Sequence, residues 1–178
     1  MHCTINVNHP LKFELTNVYL RMELHLNRVD HLTTGATSHN CLKVLPSPPG
    51  KKIPQRVAVG DHNGVLTCFH VRKNDLNIDF KTLPGPKIER LELGGAVGSL
   101  REKVFVSSNS EVKGYTKKGK QFLVFDTNLS DTIRSMYVWG ADLHITGQYI
   151  YNMYSNCQDA HFFLSSDKIW DLCGVPGN

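Results

Sequence analysis

An all-β fold is what this sequence predicts, and three observations predict it. The stretch Arg56 to Val71, R-V-A-V-G-D-H-N-G-V-L-T-C-F-H-V, holds two β-type runs around an Asn-Gly pair. Alternation with period 2 belongs to a pleated strand, and Asn63-Gly64 between two such runs signals a tight hairpin, because both turn residues accept positive φ. The same shape recurs at Lys103 to Thr116 and at Leu143 to Tyr154. No window carries the 3.6-residue period of a long amphipathic helix. The leading strand residues Val57, Val104 and Leu143 stand 47 and 39 residues apart. Periods of roughly 40–50 residues holding about four strands each are those of propeller blades.

Taken in order, Met1 to Arg21 has no clear period and reads as an extension, with Met22 as an alternative start and 22–178 as the partial propeller. Glu23 to Asp30 alternates weakly through Leu24 and Leu26. Leu42 to Leu45 is a short strand ended by the loop Pro46-Ser47-Pro48-Pro49-Gly50, where consecutive prolines exclude a ladder. The Arg56–Val71 hairpin follows, then a polar turn at Lys73 to Asp75 and a strand from Leu76 to Leu83. Leu83-Pro84-Gly85-Pro86 makes the corner between units. Ile88, Leu91 and Leu93 open a second unit, whose hairpin Lys103–Thr116 continues through Lys117-Lys118-Gly119-Lys120 into Gln121 to Phe125. Ile133 to Trp139 opens a third unit, closed by His161 to Leu164 after the Leu143–Tyr154 hairpin. Lys168 to Leu172 then reads as the first strand of a fourth. The architecture is a partial β-propeller of about three four-stranded antiparallel blades plus that strand. Closed propellers have four to eight blades, so the chain reads as a fragment or a shortened product. An uncovered last sheet invites association.

Composition narrows the function. The chain has 178 residues, 40% hydrophobic and 20% charged, with a net charge of +4. That balance is a globular domain's and lacks the clustered basicity of a nucleic-acid binder. Cys3, Cys41, Cys68, Cys157 and Cys173 are odd in number and scattered, which favours free thiols in a reducing compartment, with Cys68 as a core residue. The N-terminus lacks an apolar signal region, and nothing approaches a membrane-spanning apolar run. Nucleophile-elbow, zinc-helix and P-loop signatures are absent, and the carboxylates show no paired spacing, so no catalytic residue, cofactor or metal site is expected.

Two motifs allow a sharper reading. Gly60-Asp61-His62-Asn63-Gly64 offers oxygen ligands, but a calcium loop needs more of them at regular spacing, and a turn is the better account. Lys117-Lys118-Gly119-Lys120 is the one dense basic run. A solvated hairpin tip that guards an edge is its bland explanation. Its sharper one is a contact of Lys117, Lys118 and Lys120 with an acidic partner or an anionic surface. Phe80, Phe105, Phe122, Phe125, Tyr137, Phe162 and Phe163 are expected to fill the space between stacked sheets.

Several stretches also resemble a known family. Val57-Ala58-Val59-Gly60-Asp61-His62-Asn63-Gly64-Val65, Phe80-Lys81-Thr82-Leu83-Pro84-Gly85-Pro86-Lys87-Ile88 and Arg90-Leu91-Glu92-Leu93-Gly94-Gly95 are similar to the Bardet–Biedl syndrome 7 family. So are Gly114 to Leu123, Thr127-Asn128-Leu129 and Tyr149-Ile150-Tyr151-Asn152, and the likeness runs from about Leu24 to Cys173. The family supplies a subunit of the BBSome, a coat-like complex that carries membrane proteins in and out of cilia. The resemblance implies an N-terminal β-propeller followed by a coiled coil, an ear-like domain and a helical region that have no counterpart here. It implies a non-enzymatic module whose partners are other BBSome subunits and chaperonin, with membrane contact only through the complex. It places the chain in cytoplasm, cilium, basal body and at the ciliary membrane. A propeller enzyme, quinoprotein-like or glycan-cleaving, and a WD-repeat scaffold are the competing classes; Trp170-Asp171 opens a strand rather than closing a blade, which disfavours the second.

Overall fold

The structure, a computed structural model, describes residues 5–6, 27–50 and 53–175. Its contacts divide the chain into two units, Met1–Thr33 and Thr34–Asn178. In the first unit β1 (Ile5–Asn6) pairs antiparallel with β2 (Asn27–Arg28). The rest of the 1–21 extension, together with Leu24 and Leu26, lies outside the described residues.

The second unit is three antiparallel meanders, each with its strands in chain order. The first sheet holds β3 (Leu42–Leu45), β4 (Arg56–Gly60), β5 (Leu66–Arg72) and β6 (Asp75–Lys81). The second holds β7 (Arg90–Gly94), β8 (Lys103–Ser108), β9 (Glu111–Tyr115) and β10 (Gln121–Asp126). The third holds β11 (Ser135–Trp139), β12 (Asp142–Thr146), β13 (Ile150–Ser155) and β14 (Gln158–Leu164). Each sheet carries one register shift, always between its third and fourth strands, at Cys68/Phe69, Gln121/Leu123 and Met153/Tyr154. Such bulges increase the local twist that stacked blades require.

Period-2 patterning explains the stacking. Leu91, Leu93, Val104, Val106 and Tyr115 of the second sheet join Ala58, Leu66 and Cys68 of the first in one core. Phe105 and Val112 lie on the opposite face and join Met136, Val138, Leu143, Ile145 and Tyr154 of the third sheet in another. The second sheet is therefore apolar on both faces, and burying each aliphatic side chain contributes about 1.5–3 kcal/mol. Cross-sheet hydrogen bonds repeat at one end. The Ile88 N–H donates to Asp61 O, Ile133 N–H to Asn109 O and Ile169 N–H to Gln148 O.

That repeat refines one expectation. Lys168 to Leu172 forms no ladder, because a strand needs a hydrogen-bonding neighbour and none of the described residues supplies one. Yet Ile169 stands where Ile88 and Ile133 stand, and Gly174 lies so close that a Cβ there would meet the Tyr137 ring at 2.0 Å. The segment occupies a first-strand position against the third sheet without being a strand.

Two further expectations are corrected. The first hairpin does not turn on a two-residue Asn63-Gly64 loop, since only Gly64 has positive φ, at 74°. Gly64 N–H donates to Asp61 O and Asp61 N–H to Val65 O, closing a three-residue loop. The Asp61 carboxylate selects it by accepting the N–H groups of Asn63 at 2.9 Å and Val65 at 3.0 Å. Two-residue turns with both residues at positive φ occur instead at Lys73-Asn74 and Asn156-Cys157. The second correction concerns aromatics. Phe105 is buried and Phe80 and Phe125 pack against the cores, but Phe122 is 42% exposed, and Phe162 and Phe163 are 76% and 62% exposed. No sheet among the described residues covers the third sheet's outer flank. Strand ends also shift slightly: β6 stops at Lys81 and β11 starts at Ser135.

Candidate interaction surface

The Lys117–Lys120 run is a turn built like the one at Asp61. Gly119 N–H donates to Thr116 O, Thr116 N–H donates to Lys120 O, and Gly119 takes φ 82°. A Cβ on Gly119 would sit 2.6 Å from the Phe80 ring, so the tip is seated on the first sheet and only glycine fits there. The structure separates the three lysines. Lys117 Nζ binds Glu102 Oε2 at 2.9 Å, whereas Lys118 and Lys120 are exposed.

Meander topology decides what shares this end of the unit. The links between first and second strands, and between third and fourth strands, fall together at one end of every sheet. Arg72, Lys73, Lys103, Lys118 and Lys120 are exposed there, against two exposed carboxylates, Asp75 and Asp159. The opposite end carries exposed Asp126, Asp167 and Asp171 together with exposed Lys81 and Lys87. The Asp171 carboxyl is held below the usual range, first by the Ser135 hydroxyl, then by the Leu172 N–H, with Arg90 and His39 adding positive charge. Exposed charge is thus mixed at both ends and more positive at the first. The sequence places Lys73 in a polar turn and Lys103 at a hairpin's start, but only the folded sheets bring their end together with that of Lys118. Counting strands from the hairpins would have placed them beside Lys118.

Half-buried charge is used for joining sheets. Glu92 sits between Lys43 Nζ of the first sheet at 2.8 Å and Arg101 Nη2 at 3.3 Å. Arg101 also donates to Leu93 O and to Val138 O of the third sheet at 3.0 Å, with its guanidinium 5.0 Å from the Tyr137 ring centre. Arg90 does the same at the other end, donating to His39 O at 2.9 Å and to Arg134 O. Asp79 likewise binds Arg56 and His70 across the first sheet. Burial pushes the Cys41 and Cys68 thiols up to about 11, which removes them as nucleophiles. Among the described residues, no group of three or more His, Cys, Asp or Glu is placed to hold a metal ion. The Gly60–Gly64 loop turns its carboxylate onto its own backbone.

Two of the stretches that carry the family resemblance meet here. Gly85 N–H donates to Asn63 O, and a Cβ on Gly64 would strike Gly85 O at 2.3 Å. The Leu-Pro-Gly-Pro corner is therefore packed on the first hairpin's tip.

Comparison with known proteins agrees with this geometry. Residues 42–178 match the family model described as BBS7 beta-propeller. The chain is 49% identical over 155 residues to "BBSome complex member BBS7" of Mus musculus, covering 87% of this chain and 22% of that protein. It is 35% identical over 150 residues to "BBSome complex member bbs-7" of Caenorhabditis elegans, covering 84% of this chain and 21% of that protein. The chain thus spans about a fifth of the length of these relatives. Among solved structures, BBS1N in complex with ARL6DN aligns with a TM-score of 0.51 at 18% identity, over 74% of this chain and 42% of that one. The C-terminal WD40 domain of Sif2 aligns with the same TM-score at 14% identity, over 74% of this chain and 41% of its own. Those two likenesses establish the fold, an open, partial propeller. Three stacked meanders, the corner locked by Gly64 and a family match across all of them lead to one conclusion: this chain belongs to the BBS7 β-propeller family.

Proposed function

We propose that the chain is a non-enzymatic interaction module of a BBSome subunit, serving transport of membrane proteins in cilia and cilium assembly. The observation that carries this reading is the family match over residues 42–178, which spans all three sheets. Physical features favour it. Half-buried ionic groups join one sheet to the next, as Glu92 and Arg90 do, and the buried thiols are protonated. What remains for function is surface. Its partners are other BBSome subunits, with chaperonin as the holder of a chain whose third sheet has no cover among the described residues. Lys118 and Lys120 are contact residues, and Lys117 positions their turn through Glu102. The domain runs from residue 22 to 178, and 1–21 are an extension. The chain resides in cytoplasm, at the basal body and in the cilium, reaching the ciliary membrane peripherally through the complex.

The test is expression of a tagged chain in ciliated cells, followed by identification of what co-purifies. BBSome subunits, with or without chaperonin, are expected. Recovery of neither, together with a hydrolytic or redox activity that survives purification, would overturn the reading.

A further inference from the structure

At the more positive end, between the second and third sheets, lies a groove of about 200 Å³. Its floor is apolar: Phe105, Phe122, Leu123, Val138 and Leu143. Phe122 meets Phe105 edge-on with ring centres 5.6 Å apart, and it rides over Gly114, where a Cβ would meet the ring at 2.6 Å. The ring stays 42% exposed, available to a visitor. Lys103 Nζ stands 4.8 Å from its centre. Lys120 precedes Phe122 by two residues, about 7 Å along a strand, and Lys118 tips the same hairpin. The carboxylate on the groove wall, Asp142, accepts the Ser155 hydroxyl at 2.7 Å.

An apolar floor with Lys103 at its rim, and with Lys118 and Lys120 exposed on the hairpin that leads into Phe122, selects its occupant by charge and shape. We propose that this groove docks an acidic polypeptide segment, one apolar or aromatic side chain entering it while flanking carboxylates meet Lys103, Lys118 and Lys120. A flat bilayer would meet the lysines but would not reach a concave floor, so the two surfaces make different demands. This assignment rests on reading the chain as an interaction module and names the chemistry of its partner.

The experiment is fluorescence anisotropy of the 178-residue chain with a labelled Glu-rich peptide carrying one central Phe. Saturable binding is expected, weakened about tenfold by the double change Lys118→Glu, Lys120→Glu and about tenfold by Ala in place of the peptide's Phe. Circular dichroism confirms that the variant remains folded. No binding, equal binding of a Lys-rich peptide, or indifference to the Phe would each overturn the groove. So would lysine-dependent binding to phosphatidylserine–phosphatidylcholine vesicles without peptide binding. If the tagged chain still recovers BBSome subunits from cells, the groove alone has failed; if the peptide binds and no subunits are recovered, the proposed function has.

Discussion

The second and third sheets are built from the same four-strand meander, yet they differ in what covers them. The second has a neighbour on each face, and five of the six residues of β8 are buried. Among the described residues the third has one neighbour, and all seven residues of β14 are exposed, Phe162, Phe163 and Leu164 among them. Phe125 and Phe163 make the difference concrete. Both lie on fourth strands, but Phe125 meets the Tyr154 ring of the next sheet at 5.0 Å, whereas Phe163 is 62% exposed and meets no following sheet among the described residues. A ladder alone does not bury a propeller sheet; its neighbours do. What distinguishes the two is stacking, since their hydrogen-bond patterns match.

Truncation of aromatic rings should expose this contrast most strongly. Phe105→Ala is expected to cost about 3–5 kcal/mol, because it empties a site between two sheets. Phe163→Ala should cost less than about 1 kcal/mol. Urea unfolding of the two variants measures both, and similar losses would break the comparison.

A smaller effect tests the corner that joins the first sheet to the second. Gly64→Ala forces a side chain into positive φ and against Gly85 O, and is expected to cost about 2 kcal/mol or more. Gly98→Ala, also at positive φ but with open space around its Cβ position, should cost about 1 kcal/mol. Equal midpoints for the two would show that the Leu-Pro-Gly-Pro corner carries no weight.

The smallest effect is chemical. At pH 8 a thiol reagent should modify the exposed Cys157 and Cys173 at once, and the buried Cys41 and Cys68 only after unfolding. Because the folded-state values of Cys41 and Cys68 are raised from 9.0 to about 11, the unfolded chain ionises first. Their contribution to stability is complete below pH 9 and is lost as pH rises toward 11. A urea midpoint that does not fall over that window would contradict the burial of these thiols.

Much of the architecture was legible because the pattern is simple. Period-2 runs at Arg56, Lys103 and Leu143, spaced like blades, led to three four-stranded sheets, and Pro84-Gly85-Pro86 marked a true corner. Turn chemistry was less legible. Asn63-Gly64 resembles a two-residue turn, and only the Asp61 carboxylate's reach to two N–H groups decides otherwise. The Lys73-Asn74 and Asn156-Cys157 turns carry no glycine to announce them. Aromatic content also misled: Phe162 and Phe163 look like core residues, but whether a strand face is covered depends on a neighbouring sheet and not on the strand itself. The candidate surface was half legible. The run 117–120 stands out in the chain, whereas Lys103 and the groove beneath it arise from two segments that only folding brings together.

Amide hydrogen exchange, read strand by strand, tests most directly the claim that stacking holds these sheets. Because β8 and β12 hold the same interior position in their ladders, slower exchange is expected in β8, covered on both faces, than in β12, covered on one. Equal protection of β8 and β12 would contradict it.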